Sequence, residues 1–359
     1  MNPTDFAIVI GIRRYPTLGV PHPPGSPRDL QGPDRDAQDI YNWLVAPAPA
    51  GGGVPVANTL LVTSSLYPDP FPQVTVGGRT RLMAQPDAEA IAGCFGWLKG
   101  LFDAGRARFL GRRLYVYFSG HGFGISDANG GVYTADANPT MPHHFYVQDW
   151  FNWFYRNAVF QEFVLWMDAC SDPIPISQPH GTLFPPGQAP SADCLRFVAY
   201  AARHPLKSVE RAMPNGAVGG VFTYTLLTGL RGAATDPQTN RVTGYSLRNY
   251  LERNLRGFQP EQDHLDPDIG SDPAFGTVDD LDFCAGALIT FPGVITFDAT
   301  YSGQAASISD GTLAQIAQTV VNGAPWAVNL PVGIYKVKVA QTSMVFEVNG
   351  DSAYAIHLP

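Results

Sequence analysis

Arg113-Leu114-Tyr115-Val116-Tyr117-Phe118-Ser119-Gly120-His121-Gly122 is the stretch on which the reading of the fold turns. A short apolar and aromatic run closed by a glycine-rich turn reads as a buried strand that ends at His121. Farther along, Phe163-Val164-Leu165-Trp166-Met167 reads the same way and ends in Asp168-Ala169-Cys170. In an α/β sheet, chemistry is exposed at the carboxyl ends of the strands. A histidine and a cysteine delivered to one such edge can serve as base and nucleophile.

Outward from these two runs, strand and helix patterns alternate. Phe6 to Ile12 reads as a first strand, about Asp34 to Leu44 as a helix, and Asn58 to Thr63 as a second strand. Helical patterns cover about Pro86 to Ala104 and Gln148 to Asn157, and Arg196 to Ala201 is a further strand. Helices are expected at about Val221 to Arg231 and Ser246 to Leu255. This alternation predicts a mostly parallel sheet covered on both faces. The stretch Gln259 to Asp282 has eight acidic residues and no Lys or Arg, and reads as a solvated loop, with a cation-binding loop as the sharper alternative.

Beyond about Ala287 the pattern changes to short β runs separated by turns: Leu288 to Phe291, Val294 to Asp298, Trp326 to Leu330, Ile334 to Val339, Met344 to Val348 and Ala353 to Leu358. Only Leu313 to Val320 leaves room for a helix there. A length of 359 residues exceeds one ordinary core, so the expectation is an α/β domain over 1–284 and a small β-sandwich over 285–359.

Composition narrows the function. The formal net charge of -8 and the lack of a basic stripe argue against a nucleic-acid partner. No apolar run is long enough to span a bilayer, and no basic-then-apolar leader opens the chain. The four cysteines, Cys94, Cys170, Cys194 and Cys284, show neither metal-ligand spacing nor a disulfide framework, and a reducing cytoplasm is the simplest setting. Cys94 lies in a helical stretch and reads as core; Cys170 alone follows a strand among acidic and small residues. His143-His144, in a Pro-flanked loop, reads as having no metal role, and the Trp150, Phe151, Trp153, Phe154 cluster reads as core packing.

Three blocks in order carry a family resemblance. Ala7-Ile8-Val9-Ile10-Gly11-Ile12-Arg13-Arg14-Tyr15 with Asp34-Arg35-Asp36-Ala37, then Tyr117-Phe118-Ser119-Gly120-His121-Gly122, then Asp168-Ala169-Cys170, together resemble metacaspases within the caspase-like cysteine peptidases. The histidine, about fifty residues before the cysteine, also fits the caspase spacing. The resemblance spans about residues 5 to 284 and implies a caspase-like α/β/α sandwich.

It further implies roles. Cys170 is the expected nucleophile, His121 the proton carrier, and the backbone N–H groups of Gly122 and Cys170 the oxyanion hole. In metacaspases an acidic S1 pocket is built at the positions matched here by Asp168, Asp36 and Ser119. Animal caspases place an arginine near the position of Leu30, with Arg28 and Arg35 close by in this chain. Two carboxylates suit a guanidinium or an ammonium, with Arg favoured by bidentate geometry. The expectation is an endopeptidase cutting protein substrates after Arg, and after Lys less well, in a stress, cell-death or defence setting. For Asp36 alone, complementing a helix dipole is the plainer alternative.

No cofactor is required by the chemistry; calcium, through residues such as Asp136 and Asp149, is a possibility for which no full oxygen set can be assembled. Where metacaspases continue His-Ser-Gly, this chain has Ser171-Asp172-Pro173. Ser171 to Cys194 holds no Lys or Arg, which excludes self-processing there by an enzyme cutting after basic residues; Arg203 to Arg211 offers such sites. Activation by another protease or a regulatory protein is left open, as is the oligomeric state. The competing class is a catalytically silent scaffold that recruits a partner through the β domain.

Overall fold

A computed structural model describes residues 5–18, 29–48, 51–105, 109–139, 141–171, 181–182, 184, 194–213, 216–236, 239–259, 263–270, 272–286, 290–311, 313–348 and 353–359. Its centre is a six-stranded sheet. In chain order the elements around it are β1 (Phe6–Gly11), α1 (Pro33–Val45), β2 (Thr59–Thr63), α2 (Ala88–Ala104), β3 (Gly111–Gly120) and α3 (Val147–Arg156). Then follow β4 (Phe160–Ala169), β5 (Leu195–Tyr200), α4 (Val221–Thr228), α5 (Gly244–Asn254) and β6 (Ala274–Val278). The strand order is β6-β5-β4-β3-β1-β2. The first five strands are parallel and β6 is antiparallel at the edge.

The near-continuous apolar strands are explained by cover on both faces. Side chains alternate across a strand, so Leu114, Val116 and Phe118 of β3 join α2 and α3 in one core. Tyr115 and Tyr117 join α1, α4 and α5 in the other. Trp150, Phe151, Trp153 and Phe154 all pack into the first core, as does Cys94. α1 opens with Pro33 in its first turn and carries Asp34 and Asp36 there, both suited to a helix start.

Three sequence expectations are corrected by the structure. The acidic stretch 259–282 is not a plain solvated loop: it holds β6, whose edge pairing with β5 supplies the order that its Asp, Gly and Pro content hides. Asp263 within it is buried and receives both arms of Arg211, at 2.9 and 2.6 Å. Leu313 to Val320 is no helix: Gln315–Val320 is a strand paired with Ala305–Asp310. The two expected runs around 288–298 are one strand, Thr290–Phe297, with Pro292 and Gly293 inside it; residues 287–289 lie outside the described residues.

The last part of the chain forms two facing sheets. One pairs Thr290–Phe297 with Trp326–Pro331 and Tyr354–Leu358; the other orders Gln315–Val320, Ala305–Asp310, Gly333–Val339 and Thr342–Val348. Ile295, Ile308, Val337, Val339 and Leu358 meet in a core of their own, as a β-sandwich requires. No helix among the described residues is long and apolar enough to cross a membrane.

Candidate active site

The site is built by register. β3 and β4 pair so that Ser119 faces Asp168, and Gly120 faces Ala169, at the carboxyl ends of both strands. By alternation Ser119 and Asp168 sit on the same side as Tyr117 and Trp166, which is the α1–α4 face. Asp36, in the first turn of α1, arrives on that side as well: Ser119 Oγ donates to Asp36 Oδ2 at 3.4 Å. Beyond these positions the chain leaves the sheet, and His121 and Cys170 follow at once. Gly120 makes that exit possible, since its φ of +156° and the 2.5 Å left between an added Cβ and the Tyr15 hydroxyl exclude a side chain.

His121, Cys170, Asp36, Ser119 and Asp168 all line one cavity of about 230 Å³, so the structure brings these five expected residues together. Gly122 lies against its wall: a Cβ there would stand 2.6 Å from Ala169 Cβ and 2.7 Å from the Cys170 carbonyl oxygen. Tyr133 N–H donates to the His121 carbonyl at 2.9 Å, which leaves the Gly122 N–H outside that ladder. Tyr15, fully buried, accepts the His121 backbone N–H on its hydroxyl at 2.8 Å and packs its ring 4.7 Å from the imidazole.

The floor of the cavity is acidic. Asp168 accepts from Thr223 N and Oγ1 at 2.9 and 2.6 Å and from Ser208 Oγ at 2.8 Å. Asp36 accepts from Gly220 N at 2.9 Å. All these donors are neutral, and among the described residues no Lys or Arg pairs with either carboxylate. Burial pushes the Asp36 carboxyl well above the usual carboxylate range, and the Asp168 charge pushes it further. Burial raises Asp168 too, partly offset by its Thr223 and Ser208 hydrogen bonds. Glu210 also lines the cavity, with its carboxylate on Gln31 N and Gly32 N at 2.8–3.0 Å. Arg211 lines it as well, but its guanidinium is committed to Asp263. Leu30 stands in the wall, Arg35 is turned to Asp39 at 3.8 Å, and Arg28 lies outside the described residues. Asp36 thus does more than complement the α1 dipole.

Cys170 differs from the other three cysteines in being half-exposed; no disulfide joins any two of the four. Burial pushes the Cys94 thiol up to about 11 and the Cys284 thiol up to about 12, values of inert core groups. The segment 203–211 walls Cys170. Cys170 Sγ donates to the Ser208 carbonyl at 3.4 Å, Ser171 N to the Leu206 carbonyl at 2.9 Å, and His204 Nδ1 sits 2.8 Å from the Ser171 carbonyl. Asp172 and Pro173, and most of the stretch to Cys194, lie outside the described residues.

The metal candidates are placed elsewhere. Asp136 is engaged by Thr134 Oγ1 and His143 Nδ1, both at 2.6 Å, while Asp149 accepts from Thr182 N at 2.8 Å. His144 Nδ1 is 2.8 Å from the Pro142 carbonyl. Among the described residues no group of three or more His, Cys, Asp or Glu side chains is arranged to hold a metal ion. Tyr15, Ser208, Glu210, Gly220 and Thr223 are additions that sequence reasoning did not single out. Only Thr223 carried a local signal, a hydroxyl in the first turn of a helix that follows Gly219-Gly220.

No protein-family model matches the chain, and no curated protein matches it. Among solved structures it is similar to caspase-1 from Spodoptera frugiperda, at 13% identity and a TM-score of 0.47 over 79% of this chain and 92% of that one. It is also similar to a protein of Geobacter sulfurreducens, at 14% identity and a TM-score of 0.43 over 79% of this chain and 100% of that one.

Proposed function

We propose that the chain is a caspase-like cysteine endopeptidase that cleaves protein substrates after a basic residue, Arg ahead of Lys. One observation carries this reading: a single cavity joins His121 and Cys170 to two buried carboxylates that pair with no Lys or Arg among the described residues. A guanidinium supplies the missing charge and offers paired donors to Asp36 and Asp168, which an ammonium matches less well.

In the proposed reaction the Cys170 thiol gives its proton to His121, and the thiolate attacks the scissile carbonyl. The Gly122 and Cys170 N–H groups stabilise the oxyanion, and His121 protonates the departing amine. Water, deprotonated by His121, then hydrolyses the thioester. No step draws on a metal or cofactor. Fluorogenic peptides with Arg, Lys or Asp at P1 test the reading with wild type and Cys170→Ala. Turnover should rank Arg, Lys, then Asp, and fall by about 10⁴-fold or more in the variant. Equal turnover by Cys170→Ala would remove the nucleophile, and preference for Asp would refute the carboxylate pocket.

A further inference from the structure

Ser208 touches both halves of the site. Its hydroxyl donates to Asp168 Oδ1 at 2.8 Å, and its carbonyl oxygen accepts from Cys170 Sγ at 3.4 Å. The hydroxyl therefore occupies a carboxylate oxygen that an incoming guanidinium needs, while the same residue's carbonyl holds the thiol proton. The segment around it is tied at both flanks, by Ser171 N on the Leu206 carbonyl and by Val221 N on the Val209 carbonyl, at 2.9 and 3.1 Å. Displacing the Ser208 side chain thus moves a short, anchored piece of backbone that carries the thiol's acceptor.

The geometry points to Ser208 as a positioning residue that couples occupancy of the acidic pocket to arming of Cys170, a role that rests on the endopeptidase reading above. In the empty pocket Ser208 bridges Asp168 and the thiol. A guanidinium on Asp168 displaces the hydroxyl, the Ser208 carbonyl shifts off Sγ, and the S–H bond breaks with its proton passing to the His121 imidazole. The products are a thiolate and an imidazolium, so charge and protons balance. Substrates lacking a basic P1 side chain leave the bridge in place, which makes Ser208 a second filter for specificity beyond charge attraction.

The test separates pocket from bridge by using methylguanidine, which fills the carboxylate pocket without reaching over the cysteine. Alkylation of Cys170 by iodoacetamide, in which the thiolate displaces iodide, is followed by mass spectrometry of the labelled peptide, with thermal unfolding as the measure of methylguanidine binding. In the wild type, methylguanidine should accelerate labelling by about fivefold, the scale of one hydrogen bond. Ser208→Ala should label fast from the start and respond by less than about twofold, while Ser208→Thr, which keeps the hydroxyl, should respond like wild type. A wild type that is stabilised by methylguanidine yet labels no faster overturns the coupling and leaves the pocket standing. Ser208→Ala responding as strongly as wild type also overturns it. Absence of both stabilisation and acceleration overturns the coupling together with the basic-P1 reading.

Discussion

The two ends of the central sheet bury acids in opposite ways. At the amino end, buried Asp5 just before β1 and partly buried Glu162 on β4 both meet arginines: Arg112 reaches each of them, and Arg113 donates to Glu162 at 2.6 Å. Arg113, with no exposed surface, also donates to Tyr115 OH and to the Asp282 carbonyl, both at 2.7 Å. At the carboxyl end, the hydrogen-bond donors to Asp36 and Asp168 among the described residues are hydroxyls and backbone N–H groups. Burial raises Asp5 as it raises Asp36, but the next influence on Asp5 is Arg112, which lowers it, whereas on Asp36 it is Asp168, which raises it further. The same strands thus carry a closed charge network at one end and an open one at the other. An open network costs stability in the free protein, and under the proposed function a basic P1 side chain would close it.

The largest expected effect tests the closed end. Arg113→Met leaves partly buried Glu162 with Arg112 alone and Tyr115 OH without its donor, so unfolding free energy should fall by about 3 kcal/mol in a denaturant titration. Cleavage per folded molecule, and the preference for Arg over Lys at P1, should not change. A shift in P1 preference would mean that the two ends are not separate in function.

The open end should respond in the reverse sense. Asp36→Asn removes a buried carboxyl that pairs with no Lys or Arg among the described residues, and kcat/KM for Arg substrates should drop by about 10²-fold while the fold gains stability at neutral pH. The sign of the pH dependence follows from the raised pKa. Between the ordinary value of 3.8 and the raised folded value, the unfolded chain ionises Asp36 while the folded chain keeps it protonated, so wild-type stability declines as pH rises through that window. The variant lacks this decline. Its advantage in thermal unfolding should therefore widen from acidic to neutral pH, to about 1–3 kcal/mol. A constant gap across pH would show that Asp36 is not the buried titrating group described above.

The contrast also explains what could be read from sequence. β3 and β4 are legible because both faces are buried, so unbroken apolar runs stop at Phe118 and Met167, three residues before His121 and Cys170. β6 is not legible, because Phe275, Gly276 and Thr277 are flanked by Asp and Pro and gain strand geometry only by pairing with β5. Ile316 and Val320 are spaced like a helix face, yet both are exposed on a strand whose order comes from its neighbour, Ala305–Asp310. Ser208 and Glu210 have no periodic signal at all. Their contact with Asp168, Cys170 and the α1 start depends on how the 203–211 segment folds back across the sheet.

Ser119 gives the finest cut through the comparison, because each end of β3 places a hydroxyl beside a buried charge. At the amino end Tyr115 OH accepts from a guanidinium at 2.7 Å, so its loss would leave a charged donor without a partner. At the carboxyl end Ser119 Oγ donates to Asp36 at only 3.4 Å, the limit of a useful bond, and Gly220 N remains on the same oxygen at 2.9 Å. Ser119→Ala should therefore leave stability unchanged and lower kcat/KM for Arg substrates by only about two- to fivefold, mainly through KM, as loss of one weak neutral hydrogen bond requires. A loss as large as that of Asp36→Asn would mean that Ser119 itself meets the P1 group, and that the carboxylates alone do not define the open end.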